Sequence, residues 1–213
     1  MRSQRVLCES CYQSLERPSA IVCLKCGEPK EGGEKTCWSC SERELFFSNF
    51  SYALVYAGSG QRLLEQGKFH ARHRVIDFFS QYARQSFVHA AENKTVVLLP
   101  SSKRFLPDLI RGIKKHHKSL TVLENVFSRD HKMNATKTLS RHRRFQKLHN
   151  TLQIVNPPQI SNSFLLCDDI YTTGATLNQA ARLLHDAMGI ERDKISAWTL
   201  FRTGRRFHGD AIV

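Results

Sequence analysis

No stretch of this chain is apolar for long enough to span a bilayer, and the opening "MRSQRVLCES" has no apolar h-region of the kind that marks a secretory signal. Those two absences make the cytosol the expected compartment. Acidic residues are also in short supply. There are 19 Asp and Glu against 32 Lys and Arg, a formal net charge of +13. The deficit is local: residues 103–149 hold 13 Lys and Arg against three acids, Asp108, Glu124 and Asp130, and contribute +10 by themselves. Charge gathered in one segment points to a polyanionic partner, with a solvated basic face as the plain alternative. Large apolar residues are scarce in the first 45 positions, which cannot build an ordinary core. No internal repeat is present beyond pairs of cysteines.

Those first positions hold cysteine instead. Six of the seven cysteines stand there as Cys-x-x-Cys turns: Cys8 with Cys11, Cys23 with Cys26, and Cys37 with Cys40. In a reducing compartment, paired cysteines are more often metal ligands than disulfides. One such turn aims two thiolates at a point, and two turns close a tetrahedron around zinc. "CLKCGEP" reads as a zinc-knuckle turn, with Gly27 behind the second ligand and ten residues between Cys26 and Cys37. The expected structural zinc site is therefore Cys23, Cys26, Cys37 and Cys40. Cys8 and Cys11 either pair with Cys23 and Cys26 across a similar gap of eleven residues or form half of a second finger whose other half is missing. A thioredoxin-like redox role is the weaker reading, because that motif belongs beside a βαβ unit. Cys167, at the end of an apolar run, reads as a small core residue.

With 213 residues and 41% hydrophobic content, the chain is long enough for one domain of ordinary size and a small appendage. Residues 52–57 read as a strand, Gly58–Gly60 as a turn, "QRLLEQGKF" as a short helix and "VIDFFSQYARQSFVHAA" as a longer one. "KTVVLLP" reads as a buried strand stopped by Pro100, and "SLTVLENVF" as another. Residues 128–150 read as a long mobile loop, which in a compact domain tends to be functional. After the break at "NPP", "SFLLC" is a strand, "LNQAARLLHDAM" a helix stopped at Gly189, and "KISAWTLF" the last strand. Strands alternating with helices imply a parallel α/β sheet.

The stretch "FLLCDDIYTTGATL" carries the chemistry. Ligands of open α/β sheets bind beyond the carboxyl ends of the strands, and "FLLC" delivers Asp168 and Asp169 to that edge. Adjacent carboxylates need partners, and a metal or sugar hydroxyls would serve. The turn "TTGAT" then opens a helix near Thr176. A helix N-terminus offers free backbone N–H groups and a partial positive charge, which suits phosphate. Gly174 permits close approach of the backbone, and the hydroxyls of Thr172, Thr173 and Thr176 can donate to phosphate oxygens. Such a stretch can hold both ends of a ribose 5-phosphate. A capped helix with surface acids is the plain alternative.

This stretch resembles the phosphoribosyl-pyrophosphate signature of type I phosphoribosyltransferases. With the cysteine head in front of it, the chain resembles the ComF family, which is associated with DNA uptake in natural competence. The resemblance implies an α/β fold: a type I phosphoribosyltransferase-like parallel sheet flanked by helices at residues 46–213, behind a small Cys-rich zinc module at residues 1–45. Carried over by position, Asp168 and Asp169 meet the ribose hydroxyls and serve any catalysis. Thr172, Thr173, Gly174, Ala175 and Thr176 hold the 5-phosphate. Ser101, Ser102, Lys103 and Arg104, after "VVLLP", take pyrophosphate. Mg2+ would bridge pyrophosphate and ribose as template and charge neutraliser. Of the family's Arg-Gly-Phe-Asn-like segment only Arg111 and Gly112 are present, and Ala135 and Thr136 stand near the place of a usual Gln.

The implied function is handling of incoming single-stranded DNA. Arg141, Arg143, Arg144 and Lys147 would sit on its phosphates, and Phe105, Phe127 and Phe145, interleaved with the charges, are either stacking platforms or core. The alternative is a working phosphoribosyltransferase on an unidentified nucleobase or other acceptor, although "FRTGRRFHGD" offers no base-recognition motif. A third reading is a sensor of phosphoribosyl pyrophosphate without turnover. Further partners implied are a DNA-translocation helicase and other uptake machinery, with the protein in the cytoplasm or brought by them to the inner face of the membrane.

Overall fold

Apolar runs alternate with amphipathic stretches from residue 49 onward, and the chain folds into parallel strands with helices between them. The computed structural model describes residues 6–70, 73–101, 103–129, 152–159 and 163–204. Two short helices, α1 (Glu9–Gln13) and α2 (Trp38–Ser41), lie in the cysteine head. Then come β1 (Asn49–Val55), α3 (Gly58–His70), α4 (His73–Ala91), β2 (Thr95–Leu98), α5 (Phe105–Lys114) and β3 (Val122–Leu123). They are followed by β4 (Phe127–Arg129), β5 (Leu152–Ile154), β6 (Phe164–Tyr171), α6 (Ala175–Met188) and β7 (Ile195–Arg202). The main sheet has the order β1-β7-β6-β2-β3, all parallel, and β4 and β5 form a separate antiparallel pair. Among the described residues, no helix is long and apolar enough to cross a membrane.

Both faces of the sheet are covered, so its central strands read as nearly continuous apolar runs. Every residue of β7, "ISAWTLFR", is buried. On one face α3, α4 and α5 pack Phe79, Phe87 and Leu109 against Trp198 and Phe201. On the other face α6 brings Leu177, Ala181 and Leu184 against Phe164 and Leu166. The cysteine head completes that second layer: Cys23, Cys26 and Cys40 share one apolar cluster with Phe47, Phe50, Tyr52 and Tyr171. Each fully buried Phe or Leu contributes about 1.5–3 kcal/mol of transfer free energy before the entropy of ordering it is counted.

Several local expectations shift. Gly58–Gly60 form the first turn of α3 rather than a separate turn. The run "SLTVLENVF" is not one strand. Asn125, with φ of 63°, turns the chain, so β3 pairs with β2 while β4 pairs with β5. Helix α5 tolerates Pro107 because a proline in the first turn removes an N–H that has no intrahelical partner. Gly112 lets α5 lie against α4, since a Cβ there would collide with Ser80, whose hydroxyl donates to the carbonyls of Ile76 and Leu109. Helix α6 stops as expected: Gly189 takes φ of 67°, and its N–H donates to His185 O at 2.9 Å. Of the predicted loop 128–150, residues 128 and 129 belong to β4 and the rest lies outside the described residues.

Candidate functional site

Strand β6 runs on past the apolar segment expected to end it. It continues to pair with β7 through Asp168↔Thr199, Ile170↔Phe201 and Tyr171↔Arg202, while β2 stops at Leu98 opposite Cys167. Asp168 and Asp169 therefore sit within the last turn-ward half of the strand, on an edge that β2 has left. Both are half-buried. Asp168 Oδ1 accepts the Asp169 backbone N–H at 2.8 Å. Burial and the neighbouring Asp169 charge push the Asp168 carboxyl up to about 7, against the pull of that N–H, of Arg129 and of Lys68. Lys68, from α3, forms an ion pair with Asp169. Cys167 is fully buried, and its thiol is pushed up by burial, as an inert core residue requires.

The turn after β6 leads directly into α6. Gly174 takes φ of 76° as the cap of α6, a conformation costly for any residue with a side chain. Space excludes one as well: a Cβ at Gly174 would lie 2.5 Å from the Tyr171 hydroxyl. Thr172 and Thr173 are exposed, Ala175 and Thr176 half-buried, and the Ala175 N–H donates to Thr173 Oγ1 at 3.3 Å. The loop thus presents hydroxyls and the start of a helix within seven residues of two carboxylates.

Residues 101–104 follow β2, which is the direct neighbour of β6, so they begin beside the same edge. Ser101, Lys103 and Arg104 are exposed, and Ser102 lies outside the described residues. Arg141, Arg143, Arg144, Phe145 and Lys147 also lie outside them. Phe105 and Phe127 are core residues, each 3% exposed, and are not available to stack on bases. Phe105 follows Arg104 and Phe127 lies two residues before Arg129, but the helix and strand they occupy turn them inward.

In the head, the sulfurs of Cys23, Cys26, Cys37 and Cys40 all lie within 4.8 Å of one another. A tetrahedral zinc with Zn–S of about 2.3 Å sets sulfurs about 3.8 Å apart, so these four fit the ion. The Cys37 N–H donates to Cys23 Sγ at 3.2 Å, which orients that sulfur inward. Cys8 is exposed and Cys11 half-buried, and neither belongs to the cluster.

The head is bound to the sheet by groups the sequence did not single out. Arg202, at the end of β7 and 5% exposed, donates through Nε to Cys26 O at 2.6 Å and forms an ion pair with Glu28. The Tyr52 hydroxyl donates to Gly27 O at 3.1 Å, and a Cβ at Gly27 would meet the Tyr52 ring at 2.5 Å. From there an aromatic row leads to the loop. Phe50 lies 5.9 Å from Tyr52 and 4.3 Å from Tyr171, the residue on which Gly174 rests. Lys68, Arg129, Tyr171 and Arg202 carry no local signal, because each acquires its role from a residue distant in sequence.

No protein-family model matches the chain. Competence protein ComFC of Bacillus subtilis (strain 168) is 24% identical over 221 residues, covering 95% of this chain and 87% of its own length. Among solved structures, a hypoxanthine phosphoribosyltransferase of Staphylococcus aureus overlaps 65% of this chain and 68% of its own, with 22% identity and a TM-score of 0.37. A xanthine-guanine-hypoxanthine phosphoribosyltransferase of Helicobacter pylori overlaps 64% and 86%, with 14% identity and a TM-score of 0.38. The chain, with its four-cysteine head and five-stranded parallel sheet, is thus similar along nearly its whole length to the competence protein ComFC.

Proposed function

We propose that the chain binds phosphoribosyl pyrophosphate, or a related ribose phosphate, at the β6 edge and acts as a ComF-like factor in DNA uptake, handling incoming single-stranded DNA. The observation that carries the pocket is the junction at residues 168–176, where paired carboxylates pass through a left-handed glycine into a helix start. Ribose hydroxyls would donate to Asp168 and Asp169. The 5-phosphate would accept from backbone N–H groups and from Thr172, Thr173 and Thr176. Pyrophosphate would lie toward Ser101, Ser102, Lys103 and Arg104, accompanied by Mg2+. Residues 1–45 would form a zinc module on Cys23, Cys26, Cys37 and Cys40, and residues 46–213 the phosphoribosyltransferase-like domain. The role in DNA uptake is supported by the similarity to a competence protein over 95% of the chain. It is supported as well by the basic segment containing Arg141, Arg143, Arg144 and Lys147, which would neutralise phosphates without reading sequence.

Calorimetric titration with phosphoribosyl pyrophosphate and Mg2+ tests the pocket. The double variant Asp168→Asn, Asp169→Asn is expected to weaken binding at least about tenfold, or about 1.4 kcal/mol, and Thr173→Val to weaken it less. Unchanged affinity in the double variant overturns the pocket. Pyrophosphate release in the presence of nucleobases would select the enzyme reading over binding alone. Single-stranded DNA binding is expected to weaken with salt, with the logarithmic slope falling by about 0.7 for each phosphate contact removed by Arg141→Ala, Arg143→Ala and Arg144→Ala. Salt-insensitive or absent binding at low ionic strength would reduce the basic segment to a solvated face.

A further inference from the structure

Two adjacent carboxylates at a strand edge repel, and here the relief comes from another element. Lys68, in the last turns of α3, sets its ammonium on Asp169 Oδ2. The two side chains are 18% and 13% exposed, so the pair is shielded from bulk water and less screened by salt than a surface ion pair. A second cation faces the neighbouring acid. Arg129, at the end of β4, lies within electrostatic reach of Asp168, and its Nε is buried with no hydrogen-bond partner among the described residues. Buried donors without an acceptor are rare and costly. An anionic oxygen of a ligand is the acceptor that would satisfy this one.

The geometry points to Lys68 as the resident cation of the pocket: its ammonium neutralises Asp169 before any ligand arrives, in place of a bound divalent metal, and leaves Asp168 and Arg129 to meet the ligand. The inference deepens the ribose-phosphate reading above and rests on it. Mg2+ demands near-octahedral oxygen ligands and is usually held by one or two carboxylates together with substrate phosphates. With Asp169 engaged by Lys68, a single carboxylate remains, too little to load the ion in a ligand-free protein. Mg2+ then arrives on the pyrophosphate of the ligand, and the ribose end binds without it. Ribose 5-phosphate, which has no pyrophosphate, therefore binds this pocket independently of Mg2+.

Two measurements on the full-length, zinc-loaded protein test this. The first is uptake of Mn2+, as a spectroscopic stand-in for Mg2+, by ligand-free protein. Wild type and Lys68→Arg are expected to take up none at equimolar metal. Lys68→Met exposes both carboxylates and is expected to bind one ion at least about tenfold more tightly, and adding Asp169→Asn abolishes that site. Wild-type binding as tight as that of Lys68→Met, or no binding by a folded Lys68→Met, overturns the proposal. The second is titration of wild type with ribose 5-phosphate, with Mg2+ and with EDTA. Affinities within about twofold are expected, and a gain of more than about fivefold from Mg2+ overturns the proposal even if Lys68→Met does not fold. Expected Mn2+ results with no ribose-phosphate binding in any variant would remove the ribose-phosphate reading and leave the assignment of Lys68 standing.

Discussion

The cysteine head and the β6 edge both crowd groups that become anionic, and they settle the crowding in opposite ways. In the head, four sulfurs converge on one point, and three of the four cysteines are buried. At the edge, two carboxylates face two cations drawn from α3 and β4, beside a loop of exposed threonines. A closed set of like ligands suits one ion held permanently. A balanced, half-open set suits a ligand that comes and goes. Structural stability should therefore depend on the first cluster and binding on the second, and each prediction below is a way of breaking that division.

The largest effect is expected from Cys37→Ser. It should release the metal and, because Cys23, Cys26 and Cys40 share a cluster with Phe50 and Tyr171, loosen one face of the sheet as well. A loss of about 3 kcal/mol or more, roughly 6–12 °C in Tm, is expected by calorimetry, together with loss of zinc by mass spectrometry. Zinc retained in full would refute the ligand set. A lost metal with an unchanged Tm would show the head to be independent of the sheet.

Gly174→Ala comes next, and it tests whether the loop belongs to the binding side alone. A methyl group there must take φ of 76° and displace the Tyr171 ring. A cost of about 1–3 kcal/mol in urea unfolding is expected, with weaker phosphate binding. Tyr171→Leu in the same chain should recover part of the stability. No recovery would mean that the backbone angle, rather than contact with the ring, sets the cost.

The smallest effect, and the one of opposite sign, is expected from Asp168→Asn. The Asp168 carboxyl titrates at about 7 in the folded protein against 3.8 as its ordinary value. Between those values the folded state keeps a proton that the unfolded chain has lost, so this group makes stability fall as pH rises through that window. The substitution removes the dependence. Relative to wild type, the variant should gain stability from about pH 4 to pH 7 and be more stable by about 1 kcal/mol or more above pH 7. A series of urea titrations across pH checks this, and parallel curves for the two proteins would show that Asp168 is not desolvated.

What could be read from the sequence was what is local. Strand β6, its acids, the threonine turn and α6 follow one another without interruption, so periodicity and turn chemistry were enough. The same holds for Cys23, Cys26, Cys37 and Cys40, whose spacing states their geometry. Helix α5 was not read from the sequence; it carries Pro107 in its first turn and Gly112 where Ser80 of α4 must approach. Phe105 and Phe127 stayed open between stacking platform and core, because exposure is decided by what covers a helix or strand. Lys68 and Arg129 were illegible for the deepest reason. They meet Asp169 and Asp168 only after α3, the sheet and β4 have assembled, and no spacing rule connects them.

The placement of Arg202 also bears on the order in which the molecule is made. The first strand of the sheet, β1, pairs with the last, β7, and Arg202 at the end of β7 fastens the head through Cys26 and Glu28. Neither contact can form until synthesis has passed residue 202. The zinc knuckle, by contrast, closes within 18 residues, from Cys23 to Cys40. Loop-closure entropy favours the short circuit, so the metal site is expected to form first and wait, with docking of head and sheet as a late and slow event. In a refolding experiment on Trp38→Phe protein with Co2+ in place of zinc, the Co2+–thiolate absorbance should appear before the fluorescence change of Trp198, which is fully buried in β7. Simultaneous signals would mean that the head cannot hold its metal until the chain is complete.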